Sequence, residues 1–269
     1  MFATHLVEGQ GVAMRAEYAS VPVLTFHSIS TDPGPTSISP DTFRMQLDVL
    51  AECGATAMTC EEFLDWHRGG SPGAGRRVLI TFDDGFADFA TAAHPVLRER
   101  GFAAIVFVPT GKLDYREDWR GAHCPPRRLL GWSMMRELAS AGVEFGGHGV
   151  AHADLTRVPP PVRRHEIERS ARDLEQQLGR PARAFAAPYG HVNRDVLADV
   201  ARTYEVAFGS RFRRALPARD PYDVPRIGMH YFRSPRRWRE FIEGATGYFN
   251  VRRAFRAVRL AALRSSASR

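Results

Sequence analysis

Short apolar runs of strand character alternate with amphipathic helical stretches along nearly the whole chain, and few architectures accept that order. The runs are Val21 to Phe26, Ala55 to Met58, Val78 to Phe82, Ala103 to Val108, Val143 to Gly147, Ala182 to Ala187, Glu205 to Phe208 and Val224 to Met229. Helices between them open on proline or polar residues and close on glycine. Ser39 and Pro40 read as an N-cap and first helical residue, with Phe43, Leu47 and Leu50 on one face and Gly54 as the stop. Thr59 followed by Glu62 is a capping box. Further helices are expected from Phe86 to Arg100, Ser133 to Ala141, Pro160 to Leu178, Arg194 to Thr203 and Pro235 to Gly244. The continuous apolar run Val78 to Phe82 is of the kind buried on both faces in a parallel sheet.

No Ser/Gly/Pro linker divides the 269 residues, so one α/β domain, a (β/α) barrel of TIM type with seven or eight strands, is expected over residues 21–246. Residues 1–20 form an N-terminal extension and 247–269 a basic, amphipathic tail. The segment from Pro109 to Gly131 lacks periodicity and reads as a long loop over an active site.

Net charge is +7, which suggests a nucleic-acid partner until it is divided along the chain. Residues 211–269 carry 15 basic and 4 acidic side chains, so the remainder is net acidic. The tail has no readout module, and no specific nucleic-acid partner is expected. Within it Val251, Ala254, Phe255, Val258 and Ala262 follow helical spacing, with Arg252, Arg256 and Arg259 on another face. Two readings stand: a helix packed on the barrel with a solvated arginine face, or attachment to an anionic membrane surface. Cys53, Cys60 and Cys124 are odd in number, without paired spacing, and suit buried thiols in a reducing compartment. Met1 to Ser20 has no basic segment followed by an apolar one, and Met14 offers an alternative start. The expected location is cytoplasmic, at the inner face of the membrane if the tail binds lipid.

In a barrel of this kind the chemistry lies where strands end. The run Val78 to Phe82 leads into Asp83, Asp84 and Gly85, and Val143 to Gly147 into His148, with His152 four residues on. Ala182 to Ala187 ends in Pro188, Tyr189 and Gly190; the first strand ends in His27 and the last in His230. Two adjacent carboxylates at a buried strand end repel each other, and a cation that holds one of them ionised is the stable solution. His148 and His152 converge on one metal if their segment turns helically. A carboxylate as third ligand leaves a position for water, and its neighbour stays free to take a proton.

Thr81, Phe82, Asp83, Asp84 and Gly85, then His148 with His152, then Ala187, Pro188, Tyr189 and Gly190 resemble three motifs of the polysaccharide deacetylases, the NodB-homology carbohydrate esterases. The stretch Phe185 to Gly190 and the opening strand are closer to the exopolysaccharide deacetylase branch. The resemblance implies a distorted (β/α) barrel and hydrolysis of an N-acetyl amide on a polysaccharide, oligosaccharide or lipid-linked saccharide. It implies Asp83 as catalytic base and Asp84, His148 and His152 as ligands of a divalent metal, usually zinc. The backbone N–H of Tyr189 would stabilise the oxyanion. Two features depart from the family pattern: Ala186 stands where many relatives carry an arginine beside the base, and the Asp-Trp motif before the last histidine is absent. His27 and His230 are both candidates for the general acid, with the resemblance placing His27 ahead. Trp119, Trp132, Tyr189 and Tyr231 are candidates for stacking on a sugar ring. A deacylase or deformylase of a small N-acyl or cyclic amide is the alternative enzyme. A catalytically inactive carbohydrate-binding barrel would be expected to lose a ligand or the base, and all four positions are filled.

Overall fold

The computed structural model describes residues 20–32, 34, 36–119 and 125–267. Residues 1–19 of the extension, Cys124, and the side chains of Arg259 and Ala262 lie outside the described residues. Eight strands are present among them: β1 (Val23–Phe26), β2 (Ala55–Ala57), β3 (Arg76–Phe82), β4 (Ile105–Val108), β5 (Glu144–Gly147), β6 (Ala184–Ala186), β7 (Val206–Phe208) and β8 (Ile227–Gly228). All pair in parallel, in the order β7-β6-β5-β4-β3-β1-β8, with β2 added to β3. The sheet curls, and first and last strands lie side by side through Leu24↔Ile227 and Thr25↔Gly228. Between β7 and β8 the chain makes one parallel bridge to β7 at Val224, whose N–H donates to Ala207 O at 2.9 Å while Gly209 N–H donates to Val224 O at 2.8 Å. That stretch completes the wall of a (β/α) barrel.

Eight helices accompany the strands among the described residues: α1 (Pro40–Glu52), α2 (Cys60–His67), α3 (His94–Glu99), α4 (Trp132–Ser140), α5 (Pro160–Leu178), α6 (Arg194–Val200), α7 (Pro235–Ile242) and α8 (Gly247–Ala267). Ser39 caps α1 through Thr42 N–H, and the Thr59–Glu62 capping box of α2 is complete. The stretch expected as one helix from Phe86 instead enters α3 through a π-helical turn, Phe89–Ala93. Asp88, just before that turn, accepts from the Ser28 hydroxyl at 2.5 Å and Ile29 N–H at 3.0 Å, which tethers the loop after β1 to the loop after β3.

The period of two along each strand sorts the residues. Leu24, Phe26, Val78, Ile80 and Phe82 pack outward under the helices, while Val23, Leu79, Phe107, Ala186 and Phe208 join a separate interior cluster with Phe63 and Trp66 of α2. The interior phase then turns polar toward the C-terminal ends: Val23 is followed by Thr25 and His27, Leu79 by Thr81 and Asp83. Register pairs Thr25 with Thr81, so His27 and Asp83 emerge as neighbours. Cys60 is buried, its thiol pushed up to about 12 chiefly by burial, whereas Cys53 is only half-buried.

Tail residues Tyr248 and Phe249 dock on the barrel, with Phe249 against Phe212 and Phe241. Beyond them the apolar positions do not pack on the barrel. Val251, Phe255 and Val258 are 52%, 70% and 69% exposed, while Arg252 and Arg256 turn toward Tyr231 and Tyr248. No helix among the described residues is long and apolar enough to cross a membrane.

Candidate active site

A cavity of about 320 Å³ opens at the C-terminal end of the barrel, and Asp83, Asp84, His148, His152, Tyr189, His27 and His230 all line it. Seven residues spread over 204 positions of chain are thereby brought together.

Asp83 ends the interior row of β3 and is buried. Burial alone would raise its pKa, but Arg226 and the nearby His148 and His27 hold it below the usual carboxylate range. Arg226 grips both oxygens, Nη1 to Oδ1 at 2.7 Å and Nη2 to Oδ2 at 2.8 Å. The guanidinium is itself fixed by Nε donating to Gly209 O at 3.0 Å. The place left open by Ala186 is thus filled from the other side of the barrel. Sequence reading missed Arg226, although a signal existed: Arg226, Gly228 and His230 share one strand phase, and a buried carboxylate at a strand end calls for a cation.

Asp84 has its carboxylate between two imidazoles: Oδ1 lies 3.1 Å from His152 Nε2 and 3.3 Å from His148 Nε2. Burial opposes ionisation here too, but hydrogen bonds to His148 and His152 hold the carboxyl well below its ordinary value. His148 Nδ1 donates to Ala186 O at 2.7 Å, which leaves Nε2 facing Asp84 and the cavity as the atom available to a metal. Burial drives His152 toward its neutral form, and its buried Nδ1 has no hydrogen-bond partner. One donor atom from each of the three residues lies within 4.8 Å of the others. Tetrahedral coordination with metal–ligand bonds of about 2.0–2.1 Å spaces ligand atoms about 3.3 Å apart, so the set fits a divalent ion such as zinc.

Convergence of the two histidines does not come from a helical turn. The segment between them is a loop, with Gly149 at φ +75° and His152 at φ +57°. Buried Glu166 of α5 holds this loop by accepting from Val150 N–H at 2.8 Å and Ala151 N–H at 2.9 Å. Asp84 and Tyr189 also have left-handed backbones, φ +72° and +60°. Such conformations cost a non-glycine residue about 1–3 kcal/mol and cluster where side chains must be aimed. Gly85 follows at φ +66°, where a Cβ would sit 2.8 Å from the Val108 side chain.

His27 Nε2 is 4.0 Å from Asp83 Oδ2. His230 lies on the same cavity, but burial and the cations of its surroundings push its pKa down to about 4. Trp119, from the long loop after β4, stacks on the His152 ring at 4.2 Å between centroids, and Tyr189 meets that ring edge-on at 4.7 Å. Trp132 instead packs against the core, and Tyr231 lies under His230 at 4.0 Å. A buried base beside a three-ligand metal set, with aromatic rings at the rim, is equipped for hydrolysis of an unactivated bond.

The family model for polysaccharide deacetylases matches residues 70–207, and the chain belongs to that family. YxkH of Bacillus subtilis, named for the same family, is 24% identical over 185 residues, 69% of this chain and 62% of that protein. The poly-beta-1,6-N-acetyl-D-glucosamine N-deacetylase of Escherichia coli K12 is 29% identical over 134 residues, 46% of this chain and 20% of that enzyme. The chain therefore spans less than two thirds of either relative. Among solved structures, the Streptococcus pyogenes deacetylase PplD in complex with acetate is 27% identical with a TM-score of 0.69, covering 77% of this chain and 91% of that one. IcaB from Ammonifex degensii shares the fold at 24% identity and a TM-score of 0.70, over 85% and 98% of the two chains.

Proposed function

We propose that the protein is a metal-dependent N-deacetylase acting on an acetamido sugar within a saccharide. The observation that carries this reading is the Asp84–His148–His152 ligand set beside the Arg226-held Asp83. A divalent metal at these ligands supplies Lewis acidity, lowering the pKa of water and polarising the acetyl carbonyl.

The remaining work falls to this chain's own residues. Asp83 Oδ2 accepts the proton of the attacking water, and the two Arg226 bonds keep that carboxylate ionised and aimed. The Tyr189 backbone N–H, on a left-handed residue at the cavity wall, donates to the oxygen that becomes anionic. His27 Nε2 delivers a proton to the leaving nitrogen. Its place 4.0 Å from Asp83 supports this assignment. Trp119 and Tyr189 offer faces on which a pyranose ring stacks.

The assay is release of acetate and of formate from N-acylated glucosamine, its β-linked oligomers and small cyclic amides by zinc-loaded protein. Acetate from the sugars is expected; formate release alone, or turnover of cyclic amides alone, would replace this reading with the deacylase one.

The exposed Val251, Phe255 and Val258, on a helix that also carries Arg252, Arg253 and Arg256, support attachment of α8 to an anionic membrane. Full-length protein is expected to sediment with anionic liposomes at low salt and a chain ending at residue 250 is not; equal sedimentation refutes attachment.

A further inference from the structure

Three arginines line the cavity, and two of them are paired with carboxylates: Arg226 with Asp83, and Arg127 with Glu117 at 2.7 Å. Arg256, contributed by α8, is not. It donates to Ser210 O at 3.0 Å and to the Tyr231 hydroxyl at 3.4 Å, both neutral oxygens. Two more guanidiniums, exposed and outside the cavity wall, gather on the same Tyr231–His230 stretch without a carboxylate. Arg252 donates to the Tyr248 hydroxyl at 2.8 Å and lies 5.8 Å from the centre of the Tyr231 ring. Arg233 donates to His230 O at 3.3 Å and Ser37 O at 3.4 Å. No carboxylate is within ion-pair reach of any of the three among the described residues. All three bear on His230, whose ring is 4.0 Å from that of Tyr231.

Three cations gathered about Tyr231 and His230 on neutral acceptors, with no carboxylate among them, repel one another, and the arrangement is relieved by an anion. The N–H fork of arginine matches two oxygens of a phosphate or carboxylate, and a group of three cations suits the doubly charged one. We infer that this end of the cavity is a phosphate subsite, in which Arg256 with Arg252 and Arg233 binds a phosphate ester borne by the saccharide next to its N-acetylated sugar. The inference rests on the deacetylase reading for the sugar but not for the phosphate. The ester reaches the site either on a soluble glycosyl phosphate or on a lipid-linked one.

Calorimetric titration of zinc-loaded, full-length protein with N-acetylglucosamine 1-phosphate, N-acetylglucosamine and inorganic pyrophosphate tests it without requiring turnover. The 1-phosphate is expected to bind at least about tenfold more tightly than the neutral sugar, with pyrophosphate competing. In R256Q, and in R252Q combined with R256Q, the advantage should vanish while the neutral sugar binds as before. Equal binding of the two sugars, or no binding of any phosphate at millimolar concentration, overturns the subsite. So does a phosphate preference that survives in the double variant and disappears in His148→Ala, which would put the anion on the metal. Protein that binds the 1-phosphate through these arginines yet releases no acetate keeps the subsite and loses the deacetylase reading. Neutral vesicles with and without a polyprenyl-phosphate-linked N-acetylated sugar separate the two sources. Retention by loaded vesicles that depends on Arg256 assigns a lipid-borne phosphate, and equal retention by both, with tight binding of the soluble 1-phosphate, assigns a soluble one.

Discussion

Asp83 and Asp84 are chain neighbours with opposite partners, because the strand phase sends Asp83 to Arg226 while the left-handed backbone of Asp84 turns its carboxylate to His148 and His152. Their substitutions should therefore separate. Asp84→Ala, His148→Ala and His152→Ala are each expected to lose bound zinc, read by elemental analysis. Asp83→Asn is expected to keep zinc while turnover falls about 100-fold to 10,000-fold, the usual range for loss of a general base. Zinc lost from Asp83→Asn and kept in Asp84→Ala would reverse the two roles. For the acid, His27→Ala should cost a similar factor at unchanged zinc content, with less effect on substrates that have good leaving groups, whereas His230→Ala should cost under about tenfold. The opposite ranking would transfer the role to His230.

At the scale of elements, the site depends on loops held by groups outside it. The loop from His148 to His152 has a glycine and a histidine in left-handed conformations and no helical ladder of its own, so Glu166 of α5 keeps its shape. Glu166→Ala should weaken zinc binding by about 10-fold to 100-fold, as measured by competition with a chromophoric chelator, while far-UV circular dichroism stays unchanged. Zinc affinity equal to wild type would mean that the loop holds itself.

For the molecule as a whole, the burial and cationic surroundings of His230 shape acid stability. Its folded pKa of about 4 lies below the ordinary 6.5 of an exposed ring, so between those values the unfolded chain binds a proton that the folded chain refuses. This ring's share of the stability loss should accrue as pH drops through that window and be complete below about 4. Other buried histidines, His67 and His152 among them, act in the same direction, so the contribution is read by difference. The loss of thermal midpoint between pH 7 and pH 5 should be smaller in His230→Asn than in wild type; an identical loss would show that the ring is not held neutral.

The alternation of strand and helix, the caps at Ser39 and Thr59, and the candidates at strand ends were all legible in the sequence, because each depends on neighbours within a few residues. Asp83, Asp84, His148 and His152 carried their own signal, since chemistry of that kind is rare in such order. Arg226 carried only the weak signal of its strand phase, and its pairing with Asp83 could not be read from it, because 143 residues separate them and only barrel closure brings them together. Which face of α8 meets the barrel was open for the same reason: periodicity gives an amphipathic helix two faces but does not say which one meets the protein. Tyr231 and the Ser210 carbonyl draw Arg256 toward the barrel, and Val251, Phe255 and Val258 are left in solvent. Local spacing thus determined which residues could do chemistry, and tertiary structure decided their partners, because charge pairing and burial act across space regardless of distance along the chain.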